Sequence, residues 1–165
     1  MSLHVLSLLV SNHFGVLSRV TSIFSRRTFN IKSLTVAETE DPSISRVSIL
    51  MEGEENDVRM VKRLLAKQED VIKAAYAPIS QITNRELMMI KVKNTPELQE
   101  KLDELRGRYH VIMLDSNPHN VLMEISGSTQ EIMFFIDTMS PYGIIELCRT
   151  GVGAIGTGEK RLADS

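Results

Sequence analysis

Two consecutive βαββαβ units, an α+β architecture, are what this sequence predicts. Three observations carry that expectation. Apolar residues switch between strand and helix periodicity in one order, and that order occurs twice. Turn-forming residues fall where the period changes. The chain has 165 residues, 42% of them hydrophobic but only 5% aromatic, with no Trp. That is enough for two small cores built mostly from Val, Ile, Leu and Met.

In the first unit, residues 3–10 form an apolar run with the look of a buried strand. The turn Ser11-Asn12-His13-Phe14-Gly15 follows. Val16, Leu17, Val20, Ile23 and Phe24 then share one stripe of a helix, with Ser18, Arg19, Thr21, Ser22, Ser25 and Arg26 opposite. Residues 31–37 read as a second strand, in which Ile31, Ser33 and Thr35 alternate with Lys32, Leu34 and Val36. Asp41-Pro42 is a turn, and 44–51 a third strand. A helix over 57–68 turns Val58, Val61, Leu64 and Leu65 inward, and a short strand, 71–77, ends at Pro78.

The second unit repeats the order. Residues 87–92 are a strand, and Thr95-Pro96 starts a helix with Pro at its first position and Leu98, Leu102 and Leu105 inward. Residues 109–114 and 121–125 are strands around the turn Asn117-Pro118-His119-Asn120. Ser128-Thr129-Gln130-Glu131 has the form of a capping box and leads into Ile132, Phe135, Ile136 and Met139. Residues 142–148 close the unit.

A βαββαβ unit is the split-βαβ, ferredoxin-like arrangement, with both helices on one face of a four-stranded antiparallel sheet. The open face and the long edge strand 31–37 both need cover, so homodimerisation or docking on a partner follows as an expectation. The boundary falls in the polar link 80–84, giving domains 1–79 and 80–165.

Composition excludes several functions. A formal net charge of -2 leaves no electrostatic footprint for nucleic acid or an anionic membrane. No apolar run approaches the roughly 18 residues of a spanning helix, and the first residues lack a signal peptide's basic region. A single cysteine, Cys148, cannot form an internal disulfide, so the chain reads as cytoplasmic. In that strand Cys148 reads as a small buried hydrophobe rather than a nucleophile, since no histidine stands in a nucleophile motif. No metal-ligand spacing occurs. Gly151-Val152-Gly153-Ala154-Ile155-Gly156 matches G-x-G-x-x-G, but too little chain follows for a dinucleotide fold, and a flexible Gly-rich tail is expected. Arg26-Arg27 and Lys62-Arg63 read as solvated surface pairs.

What remains is the first strand-to-helix turn. A helix start at Val16 offers unpaired N–H groups and partial positive charge to a carboxylate. Gly15 removes a Cβ at the approach, and Asn12 carries both a donor and an acceptor for an α-amino acid head group. On these residues alone an ordinary Asn/Gly turn is the better reading.

The segment from Asn12 to Val20, the phrase Asn30-Ile31-Lys32-Ser33-Leu34, and Asp41-Pro42-Ser43-Ile44-Ser45-Arg46 closely resemble the opening of acetolactate synthase small subunits. The second half resembles the family's C-terminal domain through Leu87-Met88-Met89-Ile90-Lys91-Val92 and through the run from Ile144 to Gly151. The resemblance implies an ACT domain followed by a second ferredoxin-like domain. It implies a non-catalytic regulatory subunit of branched-chain amino acid biosynthesis that carries no cofactor itself. Its partner would be the large catalytic subunit, holding thiamine diphosphate, FAD and Mg. The small subunit would raise that activity and confer feedback inhibition by valine, or by leucine or isoleucine. The implied effector contacts are Asn12, His13, Phe14, Gly15, Val16 and Leu17 of one chain with Asn30 and Ile31 of the other chain of a dimer. Two readings from other classes stand beside it: an amino-acid-sensing regulator of a different enzyme or of a transcription complex, and a small enzyme using Cys148.

Overall fold

The structure, a computed structural model, describes residues 2–25, 29–159 and 161–162. Arg26-Arg27 lie outside the described residues. The chain divides into two compact units, 1–83 with 151–165, and 84–150.

The first unit runs β1 (Ser2–Ser11), α1 (Val16–Ser25), β2 (Ile31–Glu38), β3 (Ile44–Gly53), α2 (Glu55–Leu65) and β4 (Val71–Pro78). Its strands lie in the order β2-β3-β1-β4, every pair antiparallel. The strand period of two sends Leu6, Leu8 and Val10 of β1 and Val47, Ile49 and Met51 of β3 to one face. There they meet Val16, Val20 and Phe24 of α1 and Val58, Val61 and Leu65 of α2. Each such side chain contributes about 1.5–3 kcal/mol by leaving water. α2 ends three residues before the expected 68, because Lys67 and Gln68 bond back to Leu64 and Leu65 in i→i−3 turns.

β2 departs from simple alternation. Ile31 pairs with Met51 and Ser33 with Leu50, leaving Lys32 as an extra residue. This bulge lets Ile31 and Leu34 pack on the same core, where strict alternation would put them on opposite faces. Ser33 and Thr35 then face the other side.

That other side is not left open. Val152 and Ala154, both buried, pack on Val5, Leu50 and Ile79. The Val152 amide donates to Ser33 Oγ at 3.3 Å, and Arg46 Nη2 donates to the Ala154 carbonyl at 2.7 Å. Gly151 has φ 82°, and a Cβ there would stand 2.9 Å from Thr35 Oγ1. The expected flexible tail is therefore a packed segment, ending in a short strand, β9 (Gly153–Ile155). Residues 151–165 group with the first unit, whereas the sequence placed them in the second. The link expected at 80–84 is also tighter than a linker: a 3-10 turn, Ile79–Gln81, leads almost directly into the next strand.

The second unit runs β5 (Thr83–Lys93), α3 (Pro96–Leu105), β6 (His110–Ser116), β7 (Asn120–Gly127), α4 (Thr129–Met139) and, after a 3-10 turn, β8 (Ile144–Arg149). Its order, β6-β7-β5-β8, repeats the first sheet's. Met88, Ile90 and Val92 of β5 and Val121, Met123 and Ile125 of β7 meet Leu98 and Leu105 of α3 and Ile132, Phe135 and Met139 of α4. The capping box at Ser128 is formed in both directions. Cys148 is exposed, not buried. It pairs with Met89, whose neighbours Met88 and Ile90 face the core, so it stands on the open side of an edge strand. No described helix is long and apolar enough to cross a membrane.

Candidate functional site

β1 ends in a corner that its own unit holds from two sides. The Ser11 amide donates to the Asp70 carbonyl at 2.9 Å, and the Asn12 amide to the Ser43 carbonyl at 2.7 Å. Asn12 Nδ2 donates to the Pro42 carbonyl and to Glu38 Oε1, both at 2.9 Å. The side-chain donor expected for a ligand is thus engaged within the chain, bracing the β2–β3 turn. Its amide oxygen receives no donor among the described residues.

His13 Nε2 lies 2.8 Å from Asp70 Oδ1, and Arg19 Nε donates to the other oxygen, Oδ2. Arg19's hydrogen bond, with His13 adding to it, holds the Asp70 carboxyl below the usual carboxylate range. Gly15 takes φ 87°, a conformation that favours glycine, and its missing Cβ would point at Arg19 Nη1, 3.4 Å away. Phe14 is fully exposed and Leu17 partly so. Val16 belongs to the core, so only its backbone can face a ligand.

The start of α1 is electrostatically unanswered. Of the four described helices, α3 is capped by Thr95 and α4 by Ser128, and α2 carries Glu55 and Asp57 in its first turn. α1 has no acid in its first turn. Its first backbone bond is Arg19 N to Gly15 O, 3.1 Å; Val16 N makes only a 3.5 Å contact, and the Leu17 and Ser18 amides meet no acceptor among the described residues. Unpaired N–H groups, the positive end of the helix dipole and the Arg19 guanidinium converge there, which suits an anion.

Asn30 and Ile31 are not brought to this corner within one chain. Ile31 pairs with Met51, and the corner residue Ser11 pairs with Ile44 at the far end of β3. At about 3.3 Å per residue those ends lie roughly 20 Å apart. Sequence reasoning missed Arg19, Glu38 and Asp70 as members of the corner. They come from three elements, and no local spacing links them. Among the described residues no group of three or more His, Cys, Asp or Glu side chains gathers as a metal site would.

The chain is similar to known proteins over nearly its whole length. Residues 6–73 match the family described as "AHAS small subunit-like ACT domain", and residues 85–158 the family "Small subunit of acetolactate synthase". The acetolactate synthase small subunit of Bacillus subtilis is 33% identical over 162 residues, covering 98% of this chain and 94% of that one. A probable acetolactate synthase small subunit of Archaeoglobus fulgidus is 38% identical over 158 residues, covering 96% and 99%. The crystal structure of the small subunit from Thermotoga maritima superimposes with a TM-score of 0.82 at 29% identity, covering 97% of this chain and all of the other. Both halves, in order and over nearly their whole length, carry the same signature: this chain belongs to the family of acetolactate synthase small subunits.

Proposed function

We propose that this chain is a non-catalytic regulator that raises the activity of an acetolactate synthase large subunit and makes it sensitive to valine. The large subunit would hold thiamine diphosphate, FAD and Mg. Residues 1–79, completed by the packed segment from Gly151, supply the effector domain. The observation that carries the reading is the start of α1, the one described helix with neither a capping side chain in view nor an acid in its first turn. An amino acid's carboxylate fits those N–H groups.

The placement of Asn30 and Ile31 supports a site shared between two copies. In an antiparallel pairing of β2 with the same strand of a second copy, the residue-31 end of one strand would lie toward the residue-38 end of the other. Residue 38 is bonded to Asn12. A homodimer through β2 thus joins the two ends of the sheet that one chain keeps apart.

The test is reconstitution. The large subunit from the same organism is assayed with and without this chain, and with and without valine. Higher turnover with the chain and its suppression by valine are expected. Identical turnover with and without the chain would sink the assignment. Sedimentation showing a monomer would remove the shared site.

A further inference from the structure

The segment that follows β8 lies on β2 with its main chain as well as its apolar side chains. A Cβ on Gly151 would stand 2.9 Å from Thr35 Oγ1 and 3.1 Å from Ser33 Cβ, so backbone rests directly on the strand. The Val152 amide donates to Ser33 Oγ, and the Ala154 carbonyl accepts from Arg46 Nη2 on β3. At its start the segment is fastened to β5: the Thr150 amide donates to the Leu87 carbonyl at 3.0 Å, and Thr150 Oγ1 accepts from the Leu87 amide at 3.1 Å.

The sheet face beneath the segment is not finished as a core would be. Ser7 Oγ and Arg46 Nε are buried and meet no partner among the described residues. By the strand period both stand on the side of Val5 and Leu50, the side that Val152 and Ala154 cover. A buried polar group left unmet carries its full desolvation cost, and water meets it again once the cover lifts. Burial of Val152 and Ala154 acts the other way. The closed arrangement is therefore balanced between opposing contributions, which makes it releasable.

We infer that residues 151–154 are a latch on β2 through which inhibition leaves the effector domain: closed, the chain activates the large subunit, and valine favours the released arrangement. The inference rests on the proposed effector role and adds the route of the signal. A ligand shifts such an equilibrium only through different affinity for its two arrangements. β2 can supply that difference, because the strand that begins at Ile31 also carries Ser33 and Thr35, the residues under Gly151. The chain's own contacts build the closed state, so activation belongs to it and inhibition to release. Linkage then fixes the signs: whatever weakens the latch must tighten valine binding, and whatever strengthens it must weaken valine binding.

Two substitutions in the full-length chain test this with opposite expected signs. Ser33→Ala removes the acceptor of the Val152 amide. It should tighten valine binding about threefold to tenfold by calorimetry and lower the activation of the large subunit measured without valine. Ser7→Ala removes an unmet hydroxyl from beneath the cover. It should raise the valine concentration for half inhibition by a similar factor and leave activation intact. Hydrogen exchange on the wild type needs no variant: saturating valine should speed exchange of the Val152 amide about fivefold or more. Weaker valine binding in Ser33→Ala, with a lowered melting temperature, would make the segment mere support for the domain and overturn the latch. Shifts of the same sign in both variants, or Val152 exchange indifferent to valine, overturn it too, even where valine binds and inhibits normally. A wild type that binds no valine is a different result and brings down the effector reading together with the latch.

Discussion

Asn12 and Asn94 are the same residue in two copies of one fold. Each is the first residue after the central strand of its sheet, β1 or β5. Each donates its backbone amide across to the opposite β–β turn, to Ser43 or to His119. Each sends its side-chain Nδ2 to a carbonyl of that turn, Pro42 or Asn117. Beyond this point the two corners part. Asn94 Oδ1 accepts from Gln99 Nε2 at 2.9 Å, Thr95 Oγ1 accepts from the Leu98 amide at 3.2 Å, and Pro96 has no N–H to satisfy. The second corner has answered its own polar groups. In the first, among the described residues Asn12 Oδ1 has no donor and no side chain caps α1, and a glycine with φ 87° clears the approach. The asparagine is therefore scaffold in both units. What distinguishes the first corner is the set of groups left unanswered around it.

This contrast can be broken at several places, and the largest effect belongs to the closed unit. Glu86 is buried and receives two bonds from Arg149, at 2.9 and 2.6 Å, and one from Thr129 Oγ1, at 2.6 Å. Arg149→Ala strands a buried carboxylate and should cost about 3–5 kcal/mol, read as a large drop in denaturation midpoint. If instead it spared the fold and abolished valine binding, the second unit would not be self-satisfied.

Next comes Gly15→Asp. It places a side chain at a left-handed φ and a negative charge where the effector's carboxylate would sit. Losing hydrogen bonds to a charged group costs about 1.5–3 kcal/mol, or roughly 10- to 150-fold in valine affinity. Calorimetry reads the loss, and an unchanged isotherm would put the effector elsewhere. The strained backbone adds its own cost of order 1–3 kcal/mol, so a thermal melt must show the variant folded. Thr95→Ala makes the reciprocal change. It opens the closed corner and should cost about 1 kcal/mol of stability, with valine affinity unchanged. Loss of valine binding there would erase the distinction between the corners.

The smallest effect is a pH dependence. Asp70 has its folded pKa lowered, by Arg19 first and His13 after. A depressed carboxylate adds stability at pH values above its unfolded pKa, about 3.9, and loses that contribution as pH falls through the lower folded value. The difference in melting temperature between wild type and Asp70→Asn should therefore be constant near neutrality and shrink below about pH 4. A difference that instead grew toward low pH would show that the Asp70 clamp does not hold the corner.

Most of the architecture was legible because it rests on short periods. Val16, Val20 and Phe24, or Met88, Ile90 and Val92, announce their face within a few residues. The capping box at Ser128 reads directly from four positions. The misreadings have a common cause in contacts distant along the chain. The bulge at Lys32 is set by pairing with β3. Cys148 is exposed because β8 lies at an edge and presents it away from the helices. Gly151 and Val152 looked like tail because their partners, Ser33 and Thr35, are more than a hundred residues earlier. The corner was recognisable as Asn12 and Gly15, but Glu38, Arg19 and Asp70 join it only through folding. The engagement of Asn12's donors could not be foreseen from the turn sequence.

The packed segment around Val152 has a consequence for how the chain can be taken apart. Seen along the backbone, the second unit is an insertion: the first unit pauses at residue 83 and resumes at 151. A cut at residue 79 would thus amputate part of the first unit, stripping the cover from Val5, Leu50 and Ile79 and offering a greasy patch to neighbouring molecules. The first unit is discontinuous in the chain. Ile82 and Val152 border the same apolar cluster, so the two ends of the host unit meet there, as they do in proteins that tolerate inserted domains.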